Sequence, residues 1–156
     1  MKQRVTIKPL VECRSYLSNL VGHFENEWPE YYGAVGRGNA RSDLESYANI
    51  ETLPVGVVAL VDDKVCGFMA LKADSISTRA DLGPWVAAGF VVPGLRGQGI
   101  GSILLKAIEE FASTMEFEQI YSGTEKAHNL LFRAGWHKNE DLVYDGADIS
   151  IFSNKL

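Results

Sequence analysis

The stretch from Trp85 to Met115 constrains the fold more than any other part of this chain. It opens with an apolar run to Val92, stops at Pro93, and turns through glycines at 97, 99 and 101. Ile100, Ile103, Leu104, Ala107, Ile108, Phe111 and Met115 then recur at spacings of three and four. A β-type run followed by a 3.6-residue stripe predicts a strand that feeds an amphipathic helix, with Lys106, Glu109, Glu110 and Ser113 on the wet side. Gly89 interrupts the strand, and a glycine there marks a bulge or a close backbone approach.

The remaining segments supply a sheet for that strand to join. Val5 and Ile7 predict a short first strand, within an alternation that begins at Met1, and Pro9 ends it. Leu10, Cys13, Leu17, Leu20 and Val21 predict a helix over 10–21 that closes at Gly22. The region 23–39, rich in acids, aromatics and glycines, lacks a clean period and reads as a binding loop or a plain surface loop. Ser42 with Glu45 resembles a capping box for a short helix reaching Asn49. The β-branched runs 55–61 and 65–71, around Asp62, Asp63 and Lys64, predict a hairpin. Further on, 118–122 reads as a strand, 125–133 as a helix capped by Gly135, and 137–144 with 147–153 as a hairpin turning at Asp145-Gly146. Nothing repeats and no linker divides the chain, so residues 1–156 are expected to form a single α/β domain with one mixed sheet and helices packed on it.

Composition removes several classes of function. An apolar fraction of 46% supports a core and argues against global disorder. No apolar stretch is long enough to cross a bilayer and no leader pattern opens the chain, so no membrane partner and a cytoplasmic location are expected. Cys13 and Cys66 are expected in the core, and the histidines at 23, 128 and 137 lack zinc-ligand spacing, so no metal is assigned. A net charge of -5 disfavours nonspecific nucleic-acid binding and suits a cationic partner.

The glycine turn admits two readings. Glycines remove side chains where backbone N–H groups at a helix start can converge on an anion, and the helix dipole and Arg96 add positive charge. A pyrophosphate fits that description; so does a turn that only caps the helix. A Walker loop is excluded, because Gly99 is followed by Ile100 and Gly101 rather than by Lys and Ser or Thr. The dinucleotide fingerprint fails on glycine order, and Glu118 precedes its strand instead of ending it.

This segment resembles motif A of the GNAT family of N-acetyltransferases: Val91 or Val92 with Pro93, then Arg96, Gly99 and Gly101 opening a long helix. The likeness continues through Thr124-Glu125-Lys126-Ala127 to Leu131-Phe132-Arg133-Ala134-Gly135-Trp136, which resembles motif B. The resemblance implies the acyl-coenzyme A N-acyltransferase fold, a mixed, mostly antiparallel sheet of about seven strands flanked by about four helices, and acetyl-coenzyme A as cofactor. It implies that the backbone of Phe90, Val91 and Val92 pairs with the pantetheine arm, within a gap that the family opens between this strand and the one ending near Ser122. It further implies that Arg96 and the turn of Gly97, Gln98, Gly99, Ile100, Gly101 and Ser102 bind the pyrophosphate, and that Thr124, Ala127 and Asn129 line the outer cofactor.

The implied reaction is direct acetyl transfer to a primary amine in a ternary complex. An alkylammonium is only about one part in a thousand neutral at pH 7, so a base is needed. Glu25, Glu27 and His23 are the candidates by composition. Many family members carry a tyrosine four residues before the motif B glycine as the acid toward sulfur; here that position is Leu131, which cannot donate a proton. Tyr121, Ser122 or a water is the expected substitute. His128 is expected at the surface or the cofactor edge, Trp28, Tyr31 and Tyr32 as acceptor-pocket walls or core cover, and Trp85 and Trp136 in the core. The expected acceptor is a small-molecule or peptide amine. Alternatives are a protein N-terminus or lysine, or a noncatalytic acetyl-coenzyme A sensor. A homodimer through the terminal strands is a further expectation from the resemblance.

Overall fold

The computed structural model describes residues 4–156. Among these, seven strands and five α-helices form one mixed α/β layer structure. The strands are β1 (Thr6–Pro9), β2 (Val55–Val61), β3 (Lys64–Lys72), β4 (Trp85–Val91), β5 (Gln119–Thr124), β6 (His137–Tyr144) and β7 (Ala147–Lys155). The helices are α1 (Leu17–Glu27), α2 (Pro29–Tyr32), α3 (Ala40–Ser46), α4 (Ile100–Thr114) and α5 (His128–Arg133). Sheet order is β1-β2-β3-β4-β5-β7-β6, and only β4 with β5 is parallel among the described strands. Met1, where the sequence alternation begins, lies outside the described residues.

Burial explains why β2 reads as an unbroken apolar run. All seven of its residues are buried, because helices cover both faces of the sheet there. On one face, Ile100, Leu104, Leu105, Ile108 and Ala112 of α4 meet Val57, Ala59, Met69, Leu71, Val86, Ile120 and Phe152. On the other, Leu20, Phe24, Leu44 and Tyr47 from α1, α3 and the turn beyond meet Val58, Leu60, Phe68, Ala70 and Phe90. The ring of Phe24, fully buried, contacts those of Trp28, Tyr32, Phe68 and Phe90 at centroid distances of 5.2 to 5.8 Å. Farther along that second face, Ile76 and Leu82 of the β3–β4 connection cover Trp85, Tyr121, Leu142, Tyr144, Ile149 and Ile151. Arg79 fastens this connection to β6 through Glu140.

Several expected boundaries move, each for a local reason. The segment expected as a helix over 10–21 is two 3-10 turns, Leu10–Glu12 and Arg14–Tyr16, because Cys13 adopts a nonhelical backbone between them (φ -140°). The true helix α1 begins at Leu17 and passes through Gly22, where an added Cβ would meet nothing within 4 Å. Its stripe continues to Phe24 and stops at Trp28, which precedes Pro29 and takes an extended φ of -127°. The expected loop over 23–39 is therefore helical in its first half, with only the stretch after Tyr32 irregular. Asn39, not Ser42, caps α3: its Oδ1 accepts from the Ser42 N–H at 2.9 Å. In α4, Ile103 is 41% exposed while Leu105 and Ala112 are buried, so the apolar stripe sits one residue round from its expected place.

The hairpins, the turn at Asp145-Gly146 and the buried Trp85 and Trp136 stand where the sequence puts them. So does the bulge near Gly89: Ala88 and Gly89 together oppose Met69, with the positive φ (54°) on Ala88.

Candidate active site

The site is set by a parting of two strands. β3 pairs with β4 from Lys72↔Trp85 to Gly67↔Val91, but β4 meets β5 at only two positions, Trp85↔Tyr121 and Val86↔Ser122. Beyond Val86 the parallel neighbours separate, and a gap opens between the far half of β4 and the end of β5. The bulge at Ala88-Gly89 bends β4 at the point where the separation starts.

Backbone polarity along the gap follows from strand alternation. The Val92 N–H donates to Cys66 O at 2.9 Å, so residue 92 faces β3. Its neighbour Val91 therefore turns its N–H and C=O toward the gap. The Val91 carbonyl accepts from Arg96 Nε at 2.8 Å, and no strand partner takes the adjoining N–H in that direction.

Helix α4 starts at the mouth of this gap. Gly97 (φ 79°) and Gly99 (φ 86°) hold the left-handed backbone that a tight entry requires, and an added Cβ at either meets open space. No side chain caps α4, and its first bond runs from Ile103 N–H to Gly99 O at 3.2 Å. The N–H groups of Ile100, Gly101 and Ser102 are thus left facing outward at the positive end of a 15-residue helix. Ile100 gives only its backbone, since its side chain is buried. A Cβ added at Gly101 would lie 3.6 Å from Leu130 and 4.0 Å from Val91, so these two side chains flank the helix start. Gln98 and Ser102 are exposed.

Beyond β5, the Thr124 hydroxyl accepts from the N–H groups of Lys126 (3.2 Å) and Ala127 (2.8 Å), which shapes the turn into α5 and delays the helix start to His128. Asn129 is exposed on the first turn of α5. Leu131 is 2% exposed and belongs to the core beneath α4. His128 turns to the other side, toward β7: its Nε2 lies 2.8 Å from Ser150 Oγ, which donates to Asp141 Oδ1 at 2.5 Å. With the serine proton directed at the carboxylate, Nε2 must be the donor toward Ser150. This chain holds α5 against β7 and β6, and it points away from the β4–β5 gap.

The candidate acid and base residues sit on separate elements: His23 lies on α1 with its ring 5.6 Å from that of Phe90 on β4. Glu25 faces solvent on α1. Glu27, the last residue of α1, accepts from Arg96 Nη2 at 2.5 Å. Tyr121 lies one residue before Ser122 on the same strand, on the face of Trp85, whose ring is 5.6 Å away. Trp28 and Tyr32 cover the core around Phe24; the Tyr32 phenol donates to Asp43 at 2.7 Å, and burial together with that carboxylate pushes its pKa well above the usual range. Tyr31 is 42% exposed, with the Arg37 guanidinium 5.6 Å from its ring centroid.

One contact here has no sequence signal. Arg37, in the loop after α2, pairs with Asp145 at the β6–β7 turn at 3.4 Å. The two elements flank different covers of the same sheet face, the loop following Tyr32 of one cluster and the turn following Tyr144 of the other.

Known proteins place this geometry. No curated protein matches the chain in sequence. Among solved structures, an aminoglycoside 6'-N-acetyltransferase complexed with coenzyme A is 15% identical, with a TM-score of 0.78 and 96% of each chain covered. The aminoglycoside 6'-N-acetyltransferase from Enterococcus faecium is 16% identical, with a TM-score of 0.77 and the same coverage. An acetyltransferase of the GNAT family from Streptococcus pneumoniae is 14% identical, with a TM-score of 0.72, covering 98% of this chain and 100% of that one. These likenesses establish the fold. The family model described as Acetyltransferase (GNAT) family matches residues 20–135, a stretch that carries the glycine turn, the parted strands and α5. The chain belongs to the GNAT acetyltransferase family, whose members use acetyl-coenzyme A.

Proposed function

We propose that this chain transfers the acetyl group of acetyl-coenzyme A to a primary amine on a small molecule or peptide, by direct attack in a ternary complex in the cytoplasm. The observation that carries this reading is the gap between β4 and β5, which opens onto an uncapped helix start. The residues present fit the cofactor. Gly97 and Gly99 take a left-handed backbone beside open space, and unpaired N–H groups at the helix start suit a pyrophosphate. The Val91 N–H is the gap-side donor for an extended arm, and Thr124, Ala127 and Asn129 stand at the outer end.

When bound, acetyl-coenzyme A supplies an acetyl group activated as a thioester. The chain's part is to position, to exclude water and to move protons. Glu25 and Glu27 lie on the acceptor side of the sheet, and a base role for either runs through water: Glu25 faces solvent and Glu27 is held by Arg96. Tyr121, one residue before the last paired step at Ser122, is the proton donor we assign in place of the buried Leu131. The Arg37–Asp145 tie favours a small acceptor over a folded protein surface, because it joins the two covers of the acceptor face. Aminoglycoside acetyltransferases share the fold, which is in keeping with a cationic small acceptor.

A second reading is a noncatalytic acetyl-coenzyme A-binding module, favoured by the burial of Leu131 where many relatives carry a phenol. Calorimetric titration with acetyl-coenzyme A, followed by thiol-release assays over a panel of amines, separates the two. Micromolar binding with amine-dependent thiol release supports the enzyme, and binding without release on any amine supports the module. Absence of binding by folded protein would overturn both.

A further inference from the structure

We infer that the Arg96–Glu27 ion pair couples the cofactor turn to the acceptor wall, and that Glu27 is a positioning residue. The inference rests on the cofactor site proposed above. Arg96 sits in the turn ahead of α4 with two of its donors fixed: Nε on the Val91 carbonyl at 2.8 Å and Nη2 on Glu27 Oε1 at 2.5 Å. Its guanidinium therefore bridges three elements, namely the end of β4, the glycine turn and the last residue of α1. A planar fork held at two points resists rotation in a way that a single contact does not.

The placement of the far partner gives this bridge its consequence. Glu27 ends α1, and Trp28 links it directly to α2, which carries Tyr31. The Tyr31 carbonyl accepts from Gly38 N–H at 2.8 Å, so the loop that bears Arg37 is hung from α2. A shift of the glycine turn around a bound pyrophosphate is thus passed to Glu27, then to α2 and the loop that meets Asp145. By linkage, an acceptor that orders this wall strengthens cofactor binding by the same factor. Glu27 side-chain exposure is 29% against 50% for Arg96, which makes Glu27 the more enclosed partner.

The test uses coenzyme A itself as probe on the full chain, comparing wild type, Glu27→Gln, Arg96→Gln and the double variant. Calorimetry gives the affinity, and the amide resonance of Tyr31 reports the acceptor wall. The expected result is a roughly five- to tenfold loss of affinity in each single variant, with the double variant no weaker than the weaker single, since the two residues act as one unit. The Tyr31 resonance moves on coenzyme A addition in wild type and not in Glu27→Gln. Thermal melts accompany each titration. A Glu27→Gln variant that binds as wild type does and still shifts Tyr31 overturns the coupling, whether or not it melts lower. Failure of wild type to bind coenzyme A overturns the cofactor site itself, and the coupling with it.

Discussion

Arg37 and Asp145 meet at 3.4 Å across 108 positions of sequence, and they tie the loop after α2 to the turn between β6 and β7. Both side chains are well exposed, at 77% and 66%, so the pair adds little to stability; exposed pairs contribute about 0–1 kcal/mol. Its position fits a different use, as a clasp across the side proposed above for the acceptor. Asp145→Asn should lower the melting temperature by no more than about 4 °C, which is what a loss of up to about 1 kcal/mol gives at this chain length. The KM for a competent amine should rise several-fold while coenzyme A affinity stays constant. At about 1 M salt, where the Debye length is about 3 Å, wild type should move toward the variant. An unchanged KM would show that the clasp does not guard the acceptor.

Gly99 sits at φ 86° immediately before α4, in open space. A β-branched residue there costs on the order of 1–3 kcal/mol of backbone strain and alters the turn proposed to hold the pyrophosphate. Gly99→Val should therefore lower the melting temperature by several degrees yet leave a folded domain, and should weaken coenzyme A binding by more than about a hundredfold, or about 2.7 kcal/mol. Circular dichroism and calorimetry on the same sample check this. Retained affinity would remove the glycine turn from the cofactor site.

The legible parts of this chain were those in which one local pattern agreed with the tertiary outcome. The strand, turn and helix of 85–115 satisfy period and glycine placement together, so these elements are located from residues alone. The hairpin at 55–71 was equally plain, because burial on both faces forces a continuous apolar run. The segment 10–39 is not. Gly22 reads as a helix end, yet α1 passes through it at a cost of about 1 kcal/mol relative to alanine, and an added Cβ there would meet open space. The order of β7 between β5 and β6 follows no local rule, and it is this order that delivers Asp145 to Arg37 and Ser150 to His128. The engagement of Arg96 with Glu27 joins positions 69 apart and leaves no trace in spacing.

Leu131 takes the place of the family phenol and is 2% exposed among Leu104, Ile108 and Phe152. Its burial makes it a packing residue. Leu131→Ala should lose about 2–5 kcal/mol of stability, which at this chain length lowers the melting temperature by roughly 4–20 °C. Turnover measured well below that midpoint should change by less than about twofold. Leu131→Tyr should not raise turnover, because the larger ring would overpack the core at a cost of about 1–3 kcal/mol instead of reaching the gap. A selective loss of turnover in Leu131→Ala, with stability intact, would place the side chain at the reacting thioester.

Asp141 gives the clearest pH prediction. The Ser150 hydroxyl, first, and then the Lys138 ammonium hold its carboxyl below the usual carboxylate range. A depressed folded value means that the ionised form favours the folded chain. That contribution is complete above the unfolded value of about 3.9 and disappears as pH falls through the lower folded value. Asp141→Asn keeps the shape and an acceptor for Ser150 but removes the charge. It should melt below wild type at pH 7, and the gap should close as the pH drops below about 4. Glu125, Asp148 and His128 border the same groove, so each melt needs fixed ionic strength to keep their longer-range effects equal in both proteins. Melting curves that stay equally separated down to pH about 2 would show that shape, and not the ionised carboxylate, holds α5 to β7 through His128 and Ser150.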